Sequence, residues 1–181
     1  MKKLCVILIC IACIACEEND LAKINALVSN DDVGIERADS VHLMYKEGEY
    51  VRAEIRAKTV KRYVKTQNKQ EFSDGLEVKF YDALTLVSVL TADYAVNDDQ
   101  LQTIFISGNV RMENNKHEVL ETQELNWNIR TKRISAEKGI KITTPDDVIT
   151  GSGLDSDEDF SNYTIRNVYG IVGYDEDENI R

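Results

Sequence analysis

Between Leu90 and Val172 the chain repeats one pattern three times, and a repeat of that length leaves few folds open. The openings are Leu90-Thr91-Ala92-Asp93-Tyr94-Ala95, Leu120-Glu121-Thr122-Gln123-Glu124-Leu125 and Ile149-Thr150-Gly151-Ser152-Gly153-Leu154. Each starts apolar, places a small residue two positions on (Ala92, Thr122, Gly151) and an apolar one three after that. The small residue recurs after 30 and then 29 positions. Polar turns follow at Asn97-Asp98-Asp99, Asn128 to Thr131 and Asp155-Ser156-Asp157. Second apolar segments come next at Leu101 to Ile106, Ile134 to Ala136 and Tyr163 to Ile165. Glycine marks the close of each copy, at Gly108-Asn109-Val110, at Gly139-Ile140 and, less regularly, at Val168-Tyr169-Gly170. Units of this length, each holding two or three short strands and turns, stack around one continuous core.

The region before the repeat is also strand-like. From Ala38, the residues Val41, Leu43 and Tyr45 alternate with Ser40, His42 and Met44. Glu47-Gly48-Glu49 reads as a hairpin turn. Then Val51, Ala53, Ile55 and Ala57 alternate with Arg52, Glu54, Arg56 and Lys58, one apolar face against one charged face. Tyr63 to Phe72 is polar and reads as an exposed loop or edge, and Ser73-Asp74-Gly75 as a turn. Leu76, Val78 and Phe80 resume the alternation, and Asp82-Ala83 turns the chain into the repeat. Several residues on the apolar face are small: Ala53, Ala57, Ala92, Ala95 and Gly151. They either leave a groove between two sheet faces or make room for large partners such as Trp127, Phe105 and Tyr94.

The start of the chain reads as a leader. Two lysines precede an apolar run from Leu4 to Ala15, shorter than the about 20 residues a membrane-spanning helix needs. All four cysteines, Cys5, Cys10, Cys13 and Cys16, lie in this region or at its end. Ile14-Ala15-Cys16, followed at once by Glu17-Glu18, resembles the lipobox of bacterial lipoproteins, whose cysteine becomes the acylated first residue. Cys13, preceded by Ile11-Ala12, is a competing cleavage point, and it stands where that motif usually has leucine. Cleavage at Cys16 leaves no free thiol, which excludes disulfides and thiol catalysis. Acyl chains at Cys16 place the domain on a membrane surface outside the cytoplasm. Residues 17–26 read as a tether with a possible amphipathic turn at Leu21 and Ile24.

A formal net charge of −10 argues against nucleic acid as a partner, since phosphates would be repelled. No catalytic constellation stands out, and no cofactor is implied. His42 and His117 are far apart and lack metal spacing. Gly151-Ser152-Gly153 is not a nucleophile elbow. Asp155, Asp157 and Asp159 would need glycine at Phe160 and glutamate at Arg166 to form a calcium loop, so they read as a solvated acidic turn.

Ala38 to Val41, Tyr45 to Gly48, Ala53 to Ala57, Leu90 to Asp93, Gly108 to Val110, Leu120 to Thr122 and Gly151 to Leu154, in that order and spacing, resemble the LptC family. That family is the membrane-anchored periplasmic component of lipopolysaccharide export, within the OstA-like superfamily. The resemblance implies an all-β fold, an elongated twisted antiparallel β-jellyroll open at both ends, and no enzymatic activity. It implies lipopolysaccharide acyl chains moving in a groove between the sheet faces. They would arrive from the β-domains of an inner-membrane ABC transporter and leave to a periplasmic LptA-like bridge protein. Familiar members carry an N-terminal transmembrane helix, whereas this chain shows a lipoprotein leader, so the tether differs. The division expected is a leader at 1–15, a lipid-anchored tether at 16–30, the β-jellyroll at 31–175 and an acidic tail at 176–181.

The alternation nominates Val51, Ala53, Ile55, Ala57, Leu76, Val78, Phe80, Ala92, Leu125 and Trp127 as the groove lining. Cys16 is the anchor, holding the domain in the periplasm with the inner membrane favoured. Val168, Gly170, Ile171 and Val172 form an open edge to which a partner strand would add. A second reading is a surface lipoprotein with a structural or glycan-binding β-domain, which exposed aromatics flanked by carboxylates would favour.

Overall fold

A computed structural model describes residues 34–64 and 69–173, all within the unit that begins at Gly34. The leader, Cys16, the tether and the acidic tail lie outside the described residues. Ten strands follow one another: β1 (Ile35–Glu47), β2 (Tyr50–Tyr63), β3 (Lys69–Asp82), β4 (Thr85–Ala92), β5 (Tyr94–Asp98), β6 (Thr103–Asn114), β7 (Val119–Asn128), β8 (Arg133–Thr143), β9 (Asp147–Asp157) and β10 (Tyr163–Gly173). All pairings are antiparallel, in the order β1-β2-β3-β4-β6-β7-β8-β9-β10. β5 bridges the other ends of β3 and β6, so β4 and β5 act as one strand broken at Asp93. This all-antiparallel architecture is consistent with the β-jellyroll of the LptC fold.

Every strand is interrupted where it crosses one transverse line. The pairings break at Ser40 and Lys58, at Asp74-Gly75, at Asp93, at Gly108-Asn109, around Gln123, at Glu137-Lys138 and at Gly153. Several of these residues hold the left-handed backbone that a sharp bend demands, among them Ser40 (φ 57°), Asp74 (φ 65°) and Asn109 (φ 47°). The line folds the sheet into two half-sheets. The first holds 41–57, 76–92, 110–122, 139–151 and 168–173. The second holds 35–39, 59–63, 69–72, 94–107, 125–136 and 152–167.

The fold line explains the sequence repeat. Ala92, Thr122 and Gly151, its small members, all stand beside the bend. At Gly151 a side-chain carbon would lie 2.4 Å from the Asn167 carbonyl oxygen, so only glycine fits the close approach. Thr122 uses its hydroxyl there, donating to the Gly139 carbonyl at 3.0 Å. Backbone bonds stitch the line as well: Asp93 N–H to Gly108 C=O at 2.9 Å and Gly75 N–H to Asp93 C=O at 3.1 Å.

Three readings shift. Ser73-Asp74-Gly75 is a bend inside β3 rather than a turn between strands. Phe72, read as part of an exposed stretch, is buried in the core. Asp155-Ser156-Asp157 belongs to β9, and the turn comes after it, at 158–162. In each case pairing with a neighbouring strand outweighs a locally polar composition.

Candidate functional site: the apolar interior and its mouth

The inner faces of the two half-sheets meet. Phe80 of the first packs edge-on against Trp127 of the second, with ring centroids 5.0 Å apart at 70°. Ala53, Ala57, Leu76, Val78, Phe80, Ala92, Leu125 and Trp127 all belong to this buried core, and Ile55 packs against it. Between the layers, among Ile55, Phe72, Val78, Ile104 and Trp127, remains a cavity of about 10 Å³, room for one water-sized sphere. Around this cavity the inner face is closely packed, while Ala57, Leu76 and Ala92 also border an open hollow near the fold line with Val41. Of the large partners expected for the small residues, Trp127 is inside, Tyr94 is half-buried and Phe105 points outward, exposed.

Val51 departs from the expectation. The β1–β2 register slips between Tyr45 and Lys46, and the β3–β4 register between Phe80 and Tyr81. A slip of one position exchanges the faces of a strand. Val51 lies on the outside around a surface hollow with Tyr50, Glu54, Tyr81 and Leu84. Arg52 reaches toward Glu158, whose partner is the inward-facing Trp127.

The side opposite the fold line is the mouth, where strand ends and turns of the two half-sheets meet. The β9–β10 turn straps it. Phe160 of that turn is fully buried, stacked on Tyr163 at 4.8 Å, and its carbonyl accepts from the Asn114 side chain at 2.9 Å. Lys116 donates to the Ser161 carbonyl at 2.9 Å, and the Tyr163 hydroxyl to Glu118 at 3.4 Å. Beside them, Glu158 accepts from Trp127 Nε1 at 3.2 Å, and its N–H donates to the Lys132 carbonyl at 3.1 Å. Burial pushes the Glu158 carboxyl above its ordinary range, outweighing the hydrogen bond from Trp127 and the charges of Arg52 and Lys132. Lys132 Nζ also donates to Glu47 at 2.6 Å across the mouth, which holds the Glu47 carboxyl below its ordinary range.

Phe160 and Glu158 escaped the sequence reading because they sit among aspartates. The signal available was one aromatic inside an acidic turn, Asp157-Glu158-Asp159-Phe160. The acidic turn itself is explained by pairing: Arg133 binds both Asp155 and Asp157, the latter at 2.7 Å. Among the described residues no group of three His, Cys, Asp or Glu side chains could hold a metal. His42 pairs with Glu54 at 2.7 Å on the outer face, and His117 is exposed in the β6–β7 turn.

Among the described residues β1 pairs only with β2 and β10 only with β9, which leaves the sheet two open edges. Val168, Ile171 and Val172 are exposed on β10, and Gly170 faces the Thr150 side chain.

A folded antiparallel sheet with an apolar inner face and two open edges narrows the class, and comparison with known families decides it. The family model described as lipopolysaccharide-assembly, LptC-related matches residues 4–169, ending within β10. The chain belongs to the LptC family. As an LptC-family protein it has a role in lipopolysaccharide export, as a periplasmic component of that envelope system. The family is one of transport components. No curated protein sequence matches the chain.

Proposed function

We propose that this LptC-family domain is held to a membrane by acylated Cys16 and carries lipopolysaccharide acyl chains between its half-sheets. It accepts them from the β-domains of an inner-membrane ABC transporter and passes them to a periplasmic LptA-like bridge. The observation that carries this reading is the continuous apolar inner face running from β2 to β9 between two edges that have no strand partner among the described residues. Covering an acyl chain there gains roughly 25 cal/mol per Å² of apolar surface. The packed interior adds a condition: the half-sheets part at the mouth before a chain enters. Val168, Gly170, Ile171 and Val172 offer the edge for the outgoing partner, by strand addition.

Photo-crosslinking in cells tests this, with a probe at Ile55, which packs on the core, and a control at exposed Arg56. Lipopolysaccharide adducts at Ile55 and none at Arg56 are expected. Adducts at neither, with the protein folded and acylated, would move the assignment to a surface glycan-binding domain. That second reading has one foothold, the outer hollow where Tyr50 and Tyr81 stand with Glu49 and Glu54.

A further inference from the structure

Arg52 is poorly satisfied for so interior a guanidinium. It reaches toward three carboxylates, Asp82 at 3.4 Å, Glu47 at 3.7 Å and Glu158 at 3.9 Å, and is held closely by none. Its Nε is buried without a hydrogen-bond partner. A guanidinium has a rigid fork of donors that suits a planar or tetrahedral oxyanion, and an unmet buried donor is costly. Lys132 stands beside it, its ammonium on Glu47 and its carbonyl on the Glu158 N–H. In a chain of net charge −10, two cations thus converge at the one place where the half-sheets are closed by side chains. Glu47 and Asp82 are exposed at turns, and Glu158 rides on the β9–β10 strap.

We propose that Arg52 and Lys132 form an anion site at the mouth, which takes a phosphate or carboxylate carried on an apolar chain and releases the strap by displacing Glu158. The proposal rests on the groove reading, since the apolar part of such a ligand enters between the half-sheets. Glu158 and Glu47 stand in for the ligand's anionic group in the closed form. An incoming anion would offer Arg52 the close, two-oxygen contact it lacks.

Trp127 is the single tryptophan and donates directly to Glu158, so its emission reports the latch. The full chain in phosphatidylcholine nanodiscs is titrated with octyl phosphate, octyl glucoside and inorganic phosphate. Octyl phosphate is expected to shift Trp127 emission at lower concentration than octyl glucoside, with inorganic phosphate weaker than either. Arg52→Gln should weaken octyl phosphate binding about tenfold and abolish its advantage over the glucoside, and Arg52→Lys should restore part of it. Glu158→Gln, which keeps an acceptor for Trp127, should tighten octyl phosphate several-fold. If Arg52→Gln does not fold by circular dichroism, Lys132→Gln serves, with about a threefold loss. Unaltered octyl phosphate binding in the folded variant overturns the anion site. So does inorganic phosphate binding as tightly as octyl phosphate. A glucoside response without any phosphate preference overturns this site and leaves the groove standing. No response to either amphiphile overturns both.

Discussion

The two long sides of the folded sheet are held by different forces. Along the fold line the half-sheets are joined by continuous backbone, by amide hydrogen bonds at Asp93 and Gly75, and by residues such as Gly151 that admit no larger side chain. Across the mouth they are joined by side chains: one buried ring, Phe160, and polar contacts of Asn114 with the Phe160 carbonyl, Lys116 with the Ser161 carbonyl, Tyr163 with Glu118 and Lys132 with Glu47. The first cannot separate without breaking strands. The second opens if one turn swings away. A sheet built this way is a hinge facing a latch, and the difference predicts where cargo enters.

The largest effect belongs to the ring at the latch. Phe160→Ala should cost about 3 kcal/mol in urea unfolding, the usual loss for a fully buried aromatic. A loss below about 1 kcal/mol would mean the polar contacts alone close the mouth.

Next comes the hinge. Gly151→Ala should cost about 2 kcal/mol, because the added carbon meets the Asn167 carbonyl and the Ile165 side chain, at 2.4 and 2.9 Å. Hydrogen exchange sharpens the comparison. This variant should speed exchange along the fold line at Asp93 and Gly75 in step with its loss of global stability, since those amides belong to the cooperative core. Selective loss of protection there would show that the line is a loose hinge.

A smaller effect concerns pH. The Glu158 carboxyl is raised in the folded state, so the fold favours its neutral form. Its contribution is fully present below the unfolded carboxylate range and is lost as pH rises through the higher folded value. Relative to Glu158→Gln, the native protein should therefore lose stability as pH rises above the ordinary carboxylate range. Parallel unfolding midpoints for the two proteins across that range would remove Glu158 from the account.

The smallest effect is at the rim. Lys132→Gln should change stability by no more than about 0.5 kcal/mol, since its partner Glu47 is exposed and water competes for both. A loss several times larger, by urea unfolding, would make the rim pair a structural clasp.

The inner residues of β2, β3, β4 and β7 were legible because alternation is a local property. Ala53, Ala57, Leu76, Val78, Phe80, Ala92, Leu125 and Trp127 are written two apart in their strands, and the pleat sends them to one side. The repeat of Ala92, Thr122 and Gly151 was legible too, although its meaning was not: it marks a bend that every strand shares. Its spacing is a matter of chain, while the bend is a matter of neighbours.

What the amino-acid order determined by itself was the strands and their apolar side. What tertiary structure decided was whatever depends on a partner. The slip that exchanges Val51 for Arg52 arises from pairing with β1 and the neighbouring β3–β4 irregularity. The bend at Asp74-Gly75 is strand rather than turn because β5 and β4 pair on either side of it. Phe160 is core rather than acidic loop because Asn114, distant in sequence, holds its carbonyl. Around Trp127 the inner face is filled because each half-sheet meets the side chains of the other, and dense packing of apolar surface is the lower free energy until a ligand supplies equivalent contacts.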